Sequence, residues 1–182
     1  MKEWQKQLVG KWILVTHDGQ YDAWMKLKGV SWANRKVAAG LSAVKDVEIA
    51  EGVVTHTYTL LKMIKVKQTL DPAATEPVEG SENGDRVLLL ARWDADTCSL
   101  VFHKTFPDRQ LVETMTNAVS EDGAASQAPR ICPAATSCAP RLCRAAGATM
   151  TVTLTTTSKG GQSVTTVDTF SRARDSKRWS SG

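Results

Sequence analysis

The residue types that most often carry out chemistry are few in this sequence, and they are scattered. The three histidines fall on separate segments, and none has a partner at the spacing of a base and a nucleophile. Isolated histidines of this kind more commonly occupy strand faces or turns than active sites. Catalysis would need an acid, a base or a nucleophile to converge in one interior, for which only Asp168 and Glu113 are candidates. We therefore predict neither an enzyme nor a metal site, and assign structural roles to His17, His56 and His103.

The cysteines form no recognisable metal or redox motif. Cys98 stands alone in a strand-like run, whereas Cys132, Cys138 and Cys143 share one Ala/Pro-rich stretch. Their C-x5-C-x4-C spacing, with no histidine nearby, is that of neither a zinc knuckle nor a CxxC redox pair. We interpret them as free thiols and predict no cofactor.

Length and charge narrow the class of protein. A chain of 182 residues is long enough for one domain with a sizeable core. No apolar run approaches the roughly 18 residues of a membrane span, and the first residues lack the apolar stretch of a secretion signal, so we expect a cytoplasmic protein. The net charge of +4 is concentrated in residues 124–148 and 172–182, which carry +3 each and leave −2 for the remainder. The body is therefore not a basic nucleic-acid-binding surface, and we predict no nucleic-acid partner.

After Ala43 the sequence is dominated by alternation of apolar and polar residues. The runs are rich in β-branched and aromatic residues, and short links with turn residues separate them. This spacing predicts an all-β fold, an antiparallel up-and-down meander that closes most economically as a barrel. The turn-rich segment 71–85 contains two prolines and should hold only a short edge strand. The predicted strands cover 44–50, 53–60, 61–70, 86–93, 98–106, 111–119, 148–157 and 163–170.

Two segments do not fit the strand pattern. Residues 124–147 are rich in Ala, Pro and Cys, show no alternation and separate two strands that a short turn would join. We interpret this segment as a disordered insertion and 173–182 as a disordered basic tail. Residues 1–172 then form one domain. The alternative function is that of an interaction scaffold, in which the insertion or the tail recruits a protein partner.

Helical periodicity of apolar residues appears only within residues 21–41. Tyr21, Trp24, Met25 and Lys28 recur at the spacing of one helix face, and the pattern breaks around Gly29. We therefore predict two short helices between the first and second strands.

This segment resembles the N-terminal signature of the intracellular lipid-binding proteins, the calycin relatives that include fatty-acid-binding and cellular retinoid-binding proteins. The resemblance lies in Gly10-x-Trp12-x-Leu14, Tyr21-Asp22-x-x-Met25, Lys28-Gly29-Val30 and Ala33-x-Arg35-Lys36-Val37-Ala38, with one extra residue in the intervening turn. It implies a clam-like barrel of about ten strands, with a helix-turn-helix lid between strands 1 and 2 that covers the entrance to a ligand cavity. A lid of low stability would exclude bulk water and still let a long ligand enter.

The resemblance also implies a binding site, from which this sequence departs. In family members that bind fatty acids, two arginines and a tyrosine hold the carboxylate, an arrangement suited to the guanidinium fork. An ungapped alignment of the last strand puts Asp168 and Phe170 at the Arg and Tyr positions, and Met115 lies near the other arginine position. A buried, unpaired Asp168 would repel a fatty carboxylate. A slip of one residue would reverse the inward face and bring Arg172 towards the cavity mouth.

We accordingly predict a monomeric carrier that reversibly binds one small hydrophobic ligand, a fatty acid, a retinoid or a neutral lipid, inside the barrel. Arg35 and Lys36 are predicted to contact anionic membranes transiently, since each basic residue near such a surface adds about 1 kcal/mol. The predicted ligand-binding residues are Tyr21, Met25, Val30 and Ala38 of the lid together with Met115, Asp168 and Phe170 of the late strands.

Overall fold

A computed structural model describes residues 2–60, 64–82, 84–120 and 148–173 of the chain. Within these ranges it contains ten strands and three helices. The predicted insertion at 124–147 and nearly all of the predicted tail at 173–182 lie outside the described residues. The three helices are α1 (Glu3–Leu8), α2 (Tyr21–Leu27) and α3 (Trp32–Ala38).

The strands confirm the predicted all-β meander. All nine pairings are antiparallel, and they join strands into a single sheet in the order β4-β3-β2-β1-β10-β9-β8-β7-β6-β5. The strands are β1 (Gly10–His17), β2 (Ala43–Ala50), β3 (Val53–Leu60), β4 (Ile64–Leu70), β5 (Val78–Glu82), β6 (Asp85–Asp94), β7 (Ser99–Phe106), β8 (Leu111–Ser120), β9 (Thr149–Ser158) and β10 (Ser163–Arg172).

Pairing of β1 with β10 curls the sheet into a nearly closed barrel. The two edges of the sheet are β4 and β5, and among the described residues no ladder of hydrogen bonds joins them. The short β5 lies in the proline-containing segment that was predicted to hold an edge strand, because proline cannot donate to a ladder.

Side chains alternate between the interior of the barrel and its surface, as the period of two predicts. On β8, for example, Leu111, Glu113, Met115 and Asn117 are buried, whereas Val112 between them is exposed. Most inward positions are apolar and form one continuous core around Trp12, Phe102, Phe106, Met150 and Phe170. Several inward positions are polar or charged instead, and these define the candidate site.

Between β1 and β2 the chain forms the predicted helical pair. Helix α2 ends in a Schellman motif, in which Val30 N donates to Met25 O (3.1 Å) and Gly29 N donates to Lys26 O (2.9 Å). Gly29 adopts φ +77°, a conformation that strains a residue with a side chain. The turn reverses the chain and α3 begins at once, with Ser31 as its N-cap. No residue of α3 is buried, so this half of the lid packs loosely.

Helix α1 has no counterpart in the sequence prediction. It spans only Glu3–Leu8 and covers the opposite end of the barrel from the lid. Its Leu8 is 1% exposed and accepts a hydrogen bond from the Trp12 indole (3.0 Å), while Trp4 packs edge-on against Trp93 with ring centres 5.4 Å apart. The only sequence signal for this helix is the spacing of Trp4 and Leu8, which is too short a pattern to establish a period.

The described parts of the chain contain no helix with both the length and the apolarity needed to cross a bilayer.

We expect Leu8→Ala to lower the free energy of unfolding by about 2–5 kcal/mol, because the truncation leaves a cavity beneath α1. The matched control on the same helix is Lys6→Ala. Lys6 pairs only with exposed Glu3, so its loss should cost less than about 1 kcal/mol. Urea denaturation of both variants measures the difference. Equal effects would show that α1 does not seal the barrel.

Candidate functional site

A cleft of about 510 Å³ opens beneath the end of α2 and the start of α3. Three of the predicted lid residues, Met25, Val30 and Ala38, line it. Across the cleft, Arg109 donates to Lys28 O (2.7 Å) and pairs with Asp85 (2.9 Å), which ties the end of α2 to β6. The cleft therefore lies where the resemblance places a portal. Its other lining residues are Lys28, Gly29, Ser31, Asn34, Glu82, Asp85, Phe106, Arg109 and Leu111.

Next to the cleft, two lysines and two glutamates form a largely buried group that we call the paired cluster: Lys28, Glu82, Lys104 and Glu113. Lys28 Nζ lies 2.9 Å from Glu113 and 3.3 Å from Glu82, and Lys104 Nζ lies 2.7 Å from Glu82 and 3.6 Å from Glu113. Burial opposes the charged form of Lys28, but Glu113 and Glu82 outweigh it and raise its pKa. Burial likewise opposes ionisation of Glu82, and Lys104 and Lys28 outweigh it and lower its pKa. The cluster is thus stabilised as two ion pairs with no net charge.

The paired cluster also anchors the lid. The Trp24 indole of α2 donates to Thr156 Oγ1 (2.9 Å), and Thr156 donates to Glu113 (3.2 Å). Lys28 Nζ lies 4.8 Å from the centre of the Trp24 ring, a cation–π distance. Helix α2 is therefore fixed to the barrel wall, whereas α3 is not.

Lys45 on β2 is the third buried lysine, and its surroundings differ from those of the other two. It is 1% exposed and faces the interior. Its Nζ donates to Asn117 Oδ1, lies 4.0 Å from Met115 Sδ and stands 5.6 Å from the centre of the Phe170 ring. Among the described residues, no carboxylate oxygen lies within the 4 Å of an ion pair with it. Lys45 is thus a buried amine in a mainly apolar environment.

The missing ion pair changes the acidity of Lys45. Burial is the main effect and favours the neutral amine, the more distant charge of Asp168 opposes this, and Lys104 adds a repulsion. Together these effects lower the pKa of Lys45 to about 7. At neutral pH the side chain is therefore divided between its ammonium and free-amine forms.

His56 on β3 is another inward polar residue near Lys45. It lies two positions before Tyr58, which pairs with Lys45 across β2 and β3. Its Nε2 is buried and has no hydrogen-bond partner among the described residues. Burial, and then the charges of Lys45 and Lys104, hold the pKa of His56 well below its usual range, so the ring is neutral. A buried polar atom without a partner is rare and marks a position where water or a ligand would bind.

Asp168 is paired, and the expectation that it would be an unpaired buried acid is wrong. His17 Nδ1 lies 2.7 Å from Asp168 Oδ1. The reason is a β-bulge: the register between β1 and β10 shifts between Leu14 and Thr16, so that Val15 has no partner. Because of this extra residue, the side chain of His17 lies on the same face of the sheet as Asp168. In a regular strand without the bulge, His17 would lie on the opposite face.

Tyr21 of the predicted site packs on this pair. Its ring stacks on His17 with centres 3.7 Å apart, away from the cleft that Met25, Val30 and Ala38 line. Burial, with a contribution from Asp168, raises the pKa of Tyr21 to about 12. Burial also raises the pKa of Tyr58, with smaller contributions from Tyr21 and Asp168. Both hydroxyls therefore stay protonated at neutral pH and add no charge to the interior.

The structure brings the three predicted late-strand residues, Met115, Asp168 and Phe170, together around Lys45. All three are buried, whereas Arg172 is exposed and stacks on Trp12. Their role in binding a ligand remains a prediction.

The two predicted membrane-contact residues of the lid differ from each other. Arg35 pairs with Asp22 (3.1 Å) and donates to Val30 O (2.8 Å), so its charge holds α3 to α2. Lys36 is exposed.

Sequence reasoning missed Lys45, although a signal was present. In the run Ala43–Ala50 the apolar face is formed by Ala43, Val47 and Ile49, and Lys45 is the one charged residue on that face. A lysine in phase with the apolar side of a strand is predicted to point inward.

Comparison with solved structures establishes the class of fold. The "REP1-NXSQ fatty acid transporter" superposes with a TM-score of 0.66 at 13% identity, with 93% of this chain and 98% of that chain covered. The Schistosoma mansoni fatty acid binding protein in complex with arachidonic acid gives 0.64 at 17% identity, covering 91% and 96%. Human cRBP IV gives 0.59 at 18% identity, covering 91% and 98%.

The chain therefore has the fold of the intracellular lipid-binding proteins, which confirms the fold that the resemblance implied. No family model and no curated protein sequence matches it.

The low pKa of Lys45 makes stability depend on pH. Between about pH 7 and 10 the folded state holds a neutral Lys45 while the unfolded chain still binds the proton. Unfolding then takes up a proton, so the free energy of unfolding should rise with pH, by at most about 1.4 kcal/mol per pH unit. Below pH 7 both states are protonated and this dependence disappears.

Urea denaturation at pH 7, 8 and 9 of the wild type and of Lys45→Met measures this difference. The range stops at pH 9 because the tyrosines of the unfolded chain ionise above it. The rise should be absent from Lys45→Met, and parallel curves for the two proteins would show that Lys45 is protonated in the fold.

Proposed function

We propose that this protein is a carrier that reversibly binds one lipid inside the barrel, with the lipid head group at Lys45. The observation that carries the proposal is a buried amine without an ion-pair partner among the described residues, set in an apolar barrel with a cleft beneath a lid. Burying such a group costs free energy unless it is compensated. A ligand oxygen would supply the compensation.

The apolar interior supports binding of a hydrocarbon chain. The buried side chains include large, flat or flexible ones from opposite walls, which suit a chain of variable shape. Each methylene that leaves water contributes about 0.8 kcal/mol, so chain burial would supply most of the affinity. The residues concerned include Leu100, Phe102, Phe106, Met115, Met150, Leu154 and Phe170.

The arrangement around Lys45 supports a head group that accepts hydrogen bonds. Lys45 presents its amine to the interior, with the amide oxygen of Asn117 as acceptor, and His17 forms a hydrogen bond with Asp168. A carboxylate next to Lys45 would therefore form an ion pair with it once the lysine takes up a proton. The same carboxylate would be repelled less by Asp168 than the sequence suggested, because Asp168 already has a partner. Two of the compared structures are named for fatty acids, which agrees with a head group of this kind.

The lid offers a route for exchange with membranes. On α3, Trp32 is 66% and Val37 60% exposed, and both flank Lys36. Aromatic and aliphatic side chains beside a basic residue are suited to the interface of an anionic bilayer. In this proposal Lys36 makes the electrostatic contact, while Arg35 keeps the two lid helices together.

Displacement of a fluorescent fatty acid by oleic acid, retinol and monoolein tests the carrier function and the role of Lys45. Lys45→Met should weaken oleate binding about 10- to 100-fold, because an ionic hydrogen bond of about 1.5–3 kcal/mol is lost, and should change retinol binding less. Oleate affinity of the wild type should fall as the pH rises above about 7, since binding then requires Lys45 to gain a proton.

Exposed Lys65→Met is the matched control and should leave oleate binding unchanged. Oleate binding that survives Lys45→Met but weakens in Arg172→Ala would place the head group elsewhere. Failure of all three lipids to displace the probe would contradict the carrier function itself.

Transfer of a fluorescent fatty acid from the protein to vesicles tests the lid contact. Lys36→Glu should slow transfer to vesicles containing phosphatidylserine by several-fold and leave transfer to neutral phosphatidylcholine vesicles unchanged, because only the anionic surface attracts the lysine. Lys11→Glu, an exposed lysine of β1, is the charge-matched control. Equal slowing with both vesicle types, or by both variants, would contradict a specific contact through α3.

A further inference from the structure

The three buried lysines of the barrel are chemically unequal. Lys28 and Lys104 each lie within 4 Å of two carboxylates of the paired cluster. Lys45 has the amide oxygen of Asn117 and the sulfur of Met115 instead. A free amine is a nucleophile and an ammonium is not, so Lys45 is the one lysine of the three that is placed to react.

Burial gives Lys45 a substantial free-amine fraction, although the charge of Asp168 opposes it. Burial is the main cause of its low pKa of about 7, at which roughly half of the molecules carry the free amine at neutral pH. An exposed lysine has about one free amine in a few thousand at that pH. The titratable groups around it are Asp168 of β10, His17 of β1, His56 and Tyr58 of β3, and Lys104 of β7 with its partners Glu82 and Glu113.

The surroundings also suit the product of an amine and a carbonyl. An imine is hydrolysed by bulk water, and Lys45 is only 1% exposed, so bulk water does not reach it. Asp168 is near enough to act electrostatically on Lys45, so it would stabilise the positive charge of a protonated imine. His56 is neutral, so it adds no further positive charge near Lys45.

We infer that Lys45 captures long-chain aldehydes by forming a reversible imine inside the barrel. This inference rests on the proposed function, because the hydrocarbon chain must first bind as a carrier's ligand would. It adds a class of ligand, lipid aldehydes, and a covalent mode of holding them.

The step balances without an oxidant or a reductant. The Nζ lone pair of Lys45 attacks the aldehyde carbon, and the carbonyl π electrons move to the oxygen. A proton then passes from the nitrogen to the oxygen, which gives a neutral carbinolamine. The carbinolamine then loses its hydroxyl with a proton as water, and the C=N bond forms. Hydrolysis by water reverses the reaction and releases the aldehyde, as a reversible carrier requires.

Reductive trapping of hexadecanal on the full chain tests the inference. The protein is incubated at pH 7 with hexadecanal and cyanoborohydride, which reduces any imine to a stable amine, and the labelled peptides are identified by mass spectrometry. The peptide containing Lys45 should gain the mass of hexadecanal less one oxygen, at least about tenfold faster than the peptide containing exposed Lys65, because more of Lys45 is free amine. Labelling of Lys45 should level off above about pH 7, while that of Lys65 still rises at pH 9.

Variants and a non-reactive ligand separate this inference from the carrier function. Lys45→Arg keeps a cation but should abolish the fast labelling, whereas Lys65→Arg should leave labelling of Lys45 unchanged. Hexadecanol has the same chain and cannot form an imine, so its displacement of a fluorescent lipid reports on binding alone. If hexadecanol binds but Lys45 is labelled no faster than Lys65, the aldehyde inference is wrong and the carrier function stands. If hexadecanol does not bind, the carrier function fails first.

Discussion

An up-and-down barrel points half of the side chains of each strand into an interior that is shielded from bulk water, and a charge placed there must find its partner inside the protein. The charged residues inside this barrel are arranged in accordance with this constraint. Two lysines and two glutamates near the lid form ion pairs with one another, and His17 forms a hydrogen bond with Asp168. Lys45 has only an amide oxygen and a thioether sulfur as described contacts of its amine, and its burial lowers its pKa to about 7.

The same constraint connects the lid to the barrel. Lys28 belongs to the helical segment, yet its ammonium completes the charge balance between β5 and β8. Opening of α2 would remove Lys28 and leave Glu82 and Glu113 with Lys104 as their shared cation. The loss of this ion pairing opposes the movement. Helix α3 has no buried residue and no such tie to the barrel wall. Displacement of α3 alone should therefore cost less free energy than displacement of the whole lid, and it is the expected route for a ligand.

The fold could be predicted from the sequence because its signals are local. Alternation locates each strand, turn residues locate the links, and Gly29 marks the break between the two lid helices, all within a few residues of the feature concerned. The ion pairs could not be predicted in this way. Lys28 and Glu113 are far apart in the sequence, and only the closed barrel brings them together. The bulge at Val15 is a further case: a single unpaired residue decides whether His17 faces Asp168 or solvent, and alternation alone does not place it. Lys45 could be predicted only in part. Its inward direction follows from the alternation in its strand, but its lack of a carboxylate partner depends on residues from distant strands.

The protonation of Lys45 links the two ligand chemistries that the interior allows. A carboxylate stabilises the ammonium and would draw a proton onto Lys45, whereas a carbonyl reacts only with the free amine. An amine with a pKa of about 7 has both forms available near neutrality, at similar populations. An arginine at this position would be charged at all relevant pH values and would hold carboxylates alone. In the proposed function, Lys45 on β2 would take the place of an arginine anchor in the late strands, and its charge would then depend on the ligand.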